Sequence, residues 1–289
     1  TTFTSTSTIV FSSGAGSTFV ALIADSIVEA TLDDAPLDFS AYNGERVPLD
    51  LTIGDHVLAI TAVCRYSNTG EGLHRFVDPV DERIYCYTQL EVADARRVYA
   101  CFEQPDLKAT FAFSVIAPAH WTVLSNSPEV EPLVAGQLGR WEFTPTPPIS
   151  TYITALIAGD YHTVRSTHQG RVAEIPLSLS CRASMAPHLD ADRLFETTAR
   201  GFEVFEEHFG EAYPFSDYAQ IFVPEFNAGA MENAGCVTLR DEYLFRSRVT
   251  AASYDSRDNT ILHEQAHMWF GDQVTMTWWD DLWLNESFA

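Results

Sequence analysis

Positive charge is scarce in this sequence. Lysine occurs once, at Lys108, and 17 basic residues stand against 40 acidic ones, giving a formal net charge of -23. So acidic a chain repels phosphate backbones and anionic bilayer surfaces, which argues against nucleic-acid or membrane partners and favours cationic ligands. Long apolar runs are missing as well. None approaches the roughly 18–20 residues that span a bilayer, and the longest, Phe19 to Ala24, reads as a buried strand. The cysteines, Cys64, Cys86, Cys101, Cys181 and Cys236, are odd in number and show no C-x-x-C spacing. That argues against a disulfide framework and for buried thiols in a reducing cytosol. No basic-then-apolar leader is present, although the chain opens at Thr1 rather than Met and a trimmed leader stays open.

What is present is an ordinary globular composition, 46% hydrophobic and 20% charged over 289 residues. That is enough chain for one large or two medium cores. The first half reads as short strands rich in β-branched and aromatic residues and punctuated by Gly, Pro, Asn and Asp. They run over 4–11, 17–24, 27–32, 56–66, 83–90, 107–116, 121–125, 141–143 and 151–157. Spacing of this kind without a helical period predicts an antiparallel β domain, sandwich-like or saddle-like, over residues 1–168. Beyond it, two more strand candidates lie around 173–181. Residues 190–209 then carry apolar side chains at near-helical spacing, and Gly210 supplies a stop. Strands follow at 218–223 and 235–239. A helix is expected over 260–270, with Asp255, Ser256 and Asp258 as candidate caps, and another begins near Trp279. Both ends look cut, as in a fragment of a longer protein.

The chemistry centres on His263-Glu264-Gln265-Ala266-His267, an H-E-x-x-H motif on a predicted helix. Residues four apart differ by only about 40° around a helix axis, so both imidazoles leave one face and suit a tetrahedral ion. Glu264 is offset by one step, too far to ligate beside them but able to reach a water near the metal. The plain alternative is a surface helix with solvated histidines. Ile261, Leu262, Met268, Trp269 and Phe270 argue for burial instead, where two histidines and a carboxylate need a partner. Glu286 follows His267 after eighteen residues, a spacer that fits a turn and a returning helix. Two histidines and a carboxylate leave the fourth zinc position open, as catalytic sites do.

With these residues in view, the sequence resembles the M1 family of zinc aminopeptidases. Gly229-Ala230-Met231-Glu232-Asn233 matches that family's exopeptidase motif letter for letter. The stretches His267-Met268-Trp269-Phe270-Gly271, Thr88-Gln89-Leu90-Glu91 and Asp94-Ala95-Arg96-Arg97 are similar to it too. The resemblance implies an α+β protein: an antiparallel β domain, then residues 169–289 as the first part of a thermolysin-like (gluzincin) catalytic domain. It implies one Zn2+ per chain on His263, His267 and Glu286, with Glu264 as general base. It also implies that Glu232 and Glu91 bind the free α-amine of a peptide substrate, with Gln89 beside them. Gly229 and Ala230 would offer backbone hydrogen bonds, and Met231 would shape the pocket for the first side chain. Asn233 would be structural support. A monomeric cytoplasmic enzyme is the expectation.

A carboxylate cluster beside a divalent ion gives the amine site a physical rationale. It rewards an ammonium and is left with unpaired charge when the amine is acylated. For Glu91 the alternative is an ion pair to Arg96 or Arg97. Leu90, Asp272 and Ser287 stand where Phe, Asn and Gly are more frequent in the family, which touches subtype rather than chemistry. The family's transition-state tyrosine lies downstream of the third zinc ligand, so no tyrosine of this sequence takes that role. A zinc endopeptidase on the same helix pair and an inactive scaffold remain as competing readings.

Overall fold

Alternation of inward and outward side chains organises the first half of the chain. The computed structural model describes residues 1–289, the side chain of Glu131 excepted. In strand Gly54–Arg65, His56, Leu58, Ile60, Ala62 and Cys64 are buried while their sequence neighbours face outward. This period of two puts one face on a core. The strand is flanked by Thr2–Ser13 and Ser26–Leu32, both antiparallel, with Ala35–Pro36 at the far edge. A two-stranded ribbon, Gly16–Ala21 with Arg46–Leu51, contributes Val20, Val47, Leu49 and Leu51 to the same core. Pro48 sits on that ribbon, where a missing N–H is tolerated.

A second antiparallel sheet runs in the order Thr122–Ser125, Leu156–Gly159, Ile84–Gln89, Gly72–Val77. It shares a core with a three-stranded sheet of Glu129–Ala135, Leu138–Phe143 and Ser114–Pro118, through Cys86, Val123, Trp141 and Phe143.

The remaining sheet has five strands, in the order Tyr161–Gln169, Glu174–Arg182, Tyr218–Val223, Cys236–Arg240, Ala230–Met231. Its three middle strands are parallel and its two edges antiparallel. All six residues of Tyr218–Val223 are buried, as expected for a parallel strand covered on both faces. Ala219, Ile221 and Val223 pack with Tyr85, Tyr87 and Ile157 of the first half, while Tyr218 and Phe222 pack with the helices. One strand therefore welds the two halves.

The helices are α1 (Ala191–Phe209), α2 (Ala251–Ala266) and α3 (Trp283–Phe288). Helix α1 buries Leu194, Thr198, Gly201, Phe202 and Glu206 and ends at Gly210, whose φ of 75° is the left-handed stop that glycine adopts readily. Helix α2 is capped by Thr250, whose hydroxyl accepts from the Ser253 N–H at 3.3 Å. The fold class is α+β, dominated by antiparallel strands.

Several boundaries differ from the sequence reading. The expected division at residue 168 falls inside strand Tyr161–Gln169, all nine residues of which pair with Glu174–Arg182. The chain passes between sheets at Asp160 instead. Helix α2 starts nine residues before Thr260, because its inward position Arg257 is charged and breaks the apolar period. Asp255, Ser256 and Asp258 are thus interior residues of α2, not caps. Leu107 to Phe113 form no strand, and Thr151–Ile153 is a 3-10 turn. Strands Arg46–Leu51, Gly72–Val77 and Glu129–Ala135 were not anticipated.

Candidate metal centre

Helix α2 delivers the two histidines. His263 lies in its last turn and His267 at its C-terminal cap, still in helical conformation. Their Nε2 atoms face each other at 3.1 Å, with ring centroids 4.6 Å apart. Helix α3 brings Glu286 to them: its carboxylate lies 3.4 Å from His263 Nε2 and 3.8 Å from His267 Nε2. Donors held tetrahedrally at zinc distances stand about 3.3 Å apart. The three side chains therefore fit one zinc ion, and the chemistry of the set, two imidazoles and a carboxylate, suits it.

The tautomer also fits. His267 Nδ1 donates to the Phe270 carbonyl at 2.9 Å, which leaves the lone pair on Nε2. Burial, with His263 beside it, pushes the His267 imidazole down to about 4, so it is neutral at physiological pH. Its hydrogen bond to Glu286 raises the His263 imidazole, and the same bond lowers the Glu286 carboxyl. Glu286 is 47% exposed and His267 1%, so the site opens on the α3 side.

Carboxylates crowd around these ligands. Glu232, Glu264 and His267 form one group whose donor atoms lie within 4.8 Å of one another, and Glu91, Glu232 and Glu286 form a second. Burial pushes Glu264 well above the carboxylate range, with Glu232, Glu286 and Glu91 adding to it. Burial likewise moves Glu91 up to about 8 and Glu232 up to about 7. Like charges out of water disfavour ionisation, and a cation placed among them would relieve the cost. Two buried acceptors also lack a donor: Glu232 Oε1 and Gln89 Oε1. Gln89 is oriented by its Nε2, 3.5 Å from Met231 Sδ.

The other sequence-nominated residues lie on the sheet's edge. Ala230 and Met231 pair with Leu239 and Thr238, which leaves their outer side unpaired at the end of the sheet. Gly229 spends its carbonyl on the Arg240 N–H at 3.0 Å. Asn233 is fully buried and donates to Thr238 Oγ1 at 3.3 Å. Arg96 and Arg97 pair with Glu103, Glu71 and Asp94 rather than with Glu91.

The sequence reading missed a supporting layer. Tyr152 and Asn285 meet beneath α3, and Lys108 Nζ donates to the Asp272 carbonyl at 2.7 Å and the Gln273 carbonyl at 3.1 Å, bracing the loop after α2. Asp272 is wholly buried with neither carboxylate oxygen hydrogen-bonded, and burial pushes it well above its ordinary range. The solitary lysine and the unusual Asp272 were its only traces in the sequence; Tyr152 lay within a segment read as strand.

An α+β fold that sets H-E-x-x-H on a helix against a returning glutamate belongs to the H-E-x-x-H metallopeptidase class. Residues 18–153 match the profile of the peptidase M1 N-terminal domain and residues 193–289 that of the peptidase family M1 domain. The chain belongs to peptidase family M1. It is 57% identical to aminopeptidase N of Streptomyces lividans over 292 residues, covering 100% of this chain and 34% of that protein. It is 36% identical to aminopeptidase N of Rattus norvegicus over 219 residues, covering 74% and 22%. With aminopeptidase M1-A of Oryza sativa subsp. japonica the identity is 35% over 246 residues, covering 83% and 27%. The chain thus spans about a third or less of the length of these relatives. Among the described residues no helix is long and apolar enough to cross a membrane.

Proposed function

We propose that the protein is a zinc-dependent aminopeptidase, removing single residues from the free N-terminus of peptides. The observation that carries this reading is the pairing of a metal-ligand triad with the carboxylates of Glu91, Glu232 and Glu264 gathered around it. His263, His267 and Glu286 hold one zinc per chain. When bound, that ion supplies a Lewis acid that polarises the scissile carbonyl and acidifies water. Glu264 takes a proton from the attacking water and passes it to the leaving amine. Glu232 and Glu91 share the substrate ammonium, and the orphaned oxygens of Glu232 and Gln89 accept its N–H bonds. The peptide lies along the open edge of Ala230–Met231, with backbone contacts from Gly229 and Ala230 and with Met231 beside the first side chain. A β unit ending near Asp160 supplies Gln89 and Glu91, and the rest supplies the metal and its base. The names of the relatives support this activity, and the five buried free thiols support a reducing, cytoplasmic setting.

The test is hydrolysis of leucyl anilide against its N-acetylated form by the zinc-loaded full-length protein. Selective cleavage of the free amine is expected. Equal rates would favour an endopeptidase, and cleavage of neither, with zinc at full occupancy, an inactive scaffold.

A further inference from the structure

A surface cleft of about 590 Å³ opens where the edge strand ends, lined by Arg240, Glu242, Tyr243, Phe245, Ser253 and Ser256. Three contacts connect it to the metal centre. Arg240 donates its backbone N–H to Gly229, the residue before the edge strand. The Tyr243 hydroxyl lies 3.3 Å from where a Cβ on Gly229 would stand, so a side chain there would meet it. The same hydroxyl is 3.1 Å from Thr260 Oγ1, and Thr260 bonds back to Ser256 on α2. Tyr243 thus bridges the edge strand and the metal-bearing helix at the mouth of the cleft.

Two rulers give the cleft's distance from the chemistry. Along α2, Ser256 to His263 is seven residues, about 10 Å at 1.5 Å per residue. Along the edge, Gly229 to Glu232 is three residues, about 10 Å at strand spacing. A peptide antiparallel to the edge, with its amine at Glu232, runs toward Gly229 and brings its third or fourth residue to the cleft.

The chemistry at that point is a forked cation. Arg240 is 40% exposed and donates Nε to Glu242 at 3.3 Å, while its two terminal nitrogens have no partner among the described residues. A guanidinium edge of this kind matches a carboxylate in bidentate geometry.

We propose that Arg240 forms a carboxylate subsite that recognises the C-terminus of peptides about four residues long. This rests on the aminopeptidase reading and extends it to substrate length. Glu242 competes for the guanidinium, and Tyr243 and Phe245 wall the terminal side chain.

The experiment uses the zinc-loaded full-length protein with Leu-Ala-Ala-Ala and Leu-Ala, each as free acid and as C-terminal amide. The tetrapeptide acid is expected to exceed its amide about tenfold in kcat/KM, through KM, while the dipeptide pair stays near parity. Arg240→Gln should bring the tetrapeptide ratio to one or below, and Glu242→Gln should raise it by freeing the guanidinium. A wild-type tetrapeptide ratio of one, or a ratio indifferent to both substitutions, overturns the subsite even where leucyl anilide is cleaved selectively. Loss of that anilide selectivity would sink the aminopeptidase reading and this inference with it.

Discussion

Asn285 Nδ2 donates to the Tyr152 hydroxyl at 3.1 Å, linking the helix that carries Glu286 to the first half of the chain. Both side chains are buried, and the other contact of Nδ2 is Met276 Sδ at 3.2 Å, a weak acceptor. Tyr152→Phe would leave a buried amide donor without an oxygen partner, at a cost of about 1–3 kcal/mol. The loss falls beside a ligand, so zinc binding should weaken together with stability. Chelator competition and thermal melts check this; a lowered melting point with unchanged zinc affinity would separate Tyr152 from the site.

Glu264 and the three ligands should separate in a way that tests their roles. Glu264→Gln is expected to keep one zinc per chain while kcat falls by about 10²–10⁴-fold, the usual worth of a positioned general base. His263→Ala or Glu286→Ala should instead reduce zinc stoichiometry measured by metal analysis. Bound metal also stabilises the fold by mass action, about 4 kcal/mol at a thousand-fold excess over Kd. Wild-type protein should therefore melt higher with zinc than after chelation, and the ligand variants should show little difference. Zinc retained at full occupancy by both ligand variants would refute the triad.

What could be read from sequence was local. Two imidazoles one helical turn apart are fixed by helix geometry, and the alternation in Gly54–Arg65 shows directly as a strand. Arg46–Leu51 was hidden because its outward residues, Pro48 and Asp50, are those that usually mark turns. The start of α2 was hidden because its inward residue is Arg257, a charged side chain held by Asp190 and Asp258 and packed over the rings of Phe245 and Tyr254. The supporting layer was out of reach for another reason. Lys108 and Asp272, or Tyr152 and Asn285, are far apart in sequence and meet only through the sheet that joins the halves.

Glu103 makes stability depend on pH. Burial raises its carboxyl to about 7, although the Ala95 and Arg96 N–H groups and the Arg96 guanidinium oppose the shift. The folded state then holds a proton that the unfolded chain releases near pH 4.5. Between pH 4.5 and 7 the folded state binds more protons, so stability falls as pH rises through this window. Glu103→Gln keeps the acceptor oxygen that faces Ala95 and should flatten this slope in melts from pH 5 to 8. A slope unchanged by the substitution would assign the dependence to other groups.

The last expectation concerns Gly201, where α1 meets the helix bearing His263. A Cβ there would overlap Gln265 Oε1 and lie 2.8 Å from Leu262 Cδ2. Alanine improves helix propensity by about 1 kcal/mol over glycine, but overpacking a fixed interface costs about 1–3 kcal/mol. Gln265 has little room to yield, since it is fully buried and its Nε2 is tied to the Thr198 carbonyl at 3.1 Å. The clash should win, so Gly201→Ala lowers the melting point and, by pushing on residues adjacent to His263 and Glu264, weakens zinc binding. Gln265→Ala opens the space that the new methyl needs. The double variant should therefore be more stable than the two single losses added together predict, a coupling that a double-mutant cycle measures directly. Strict additivity would mean the helices can part without cost, and the tight approach at Gly201 would have no bearing on the metal.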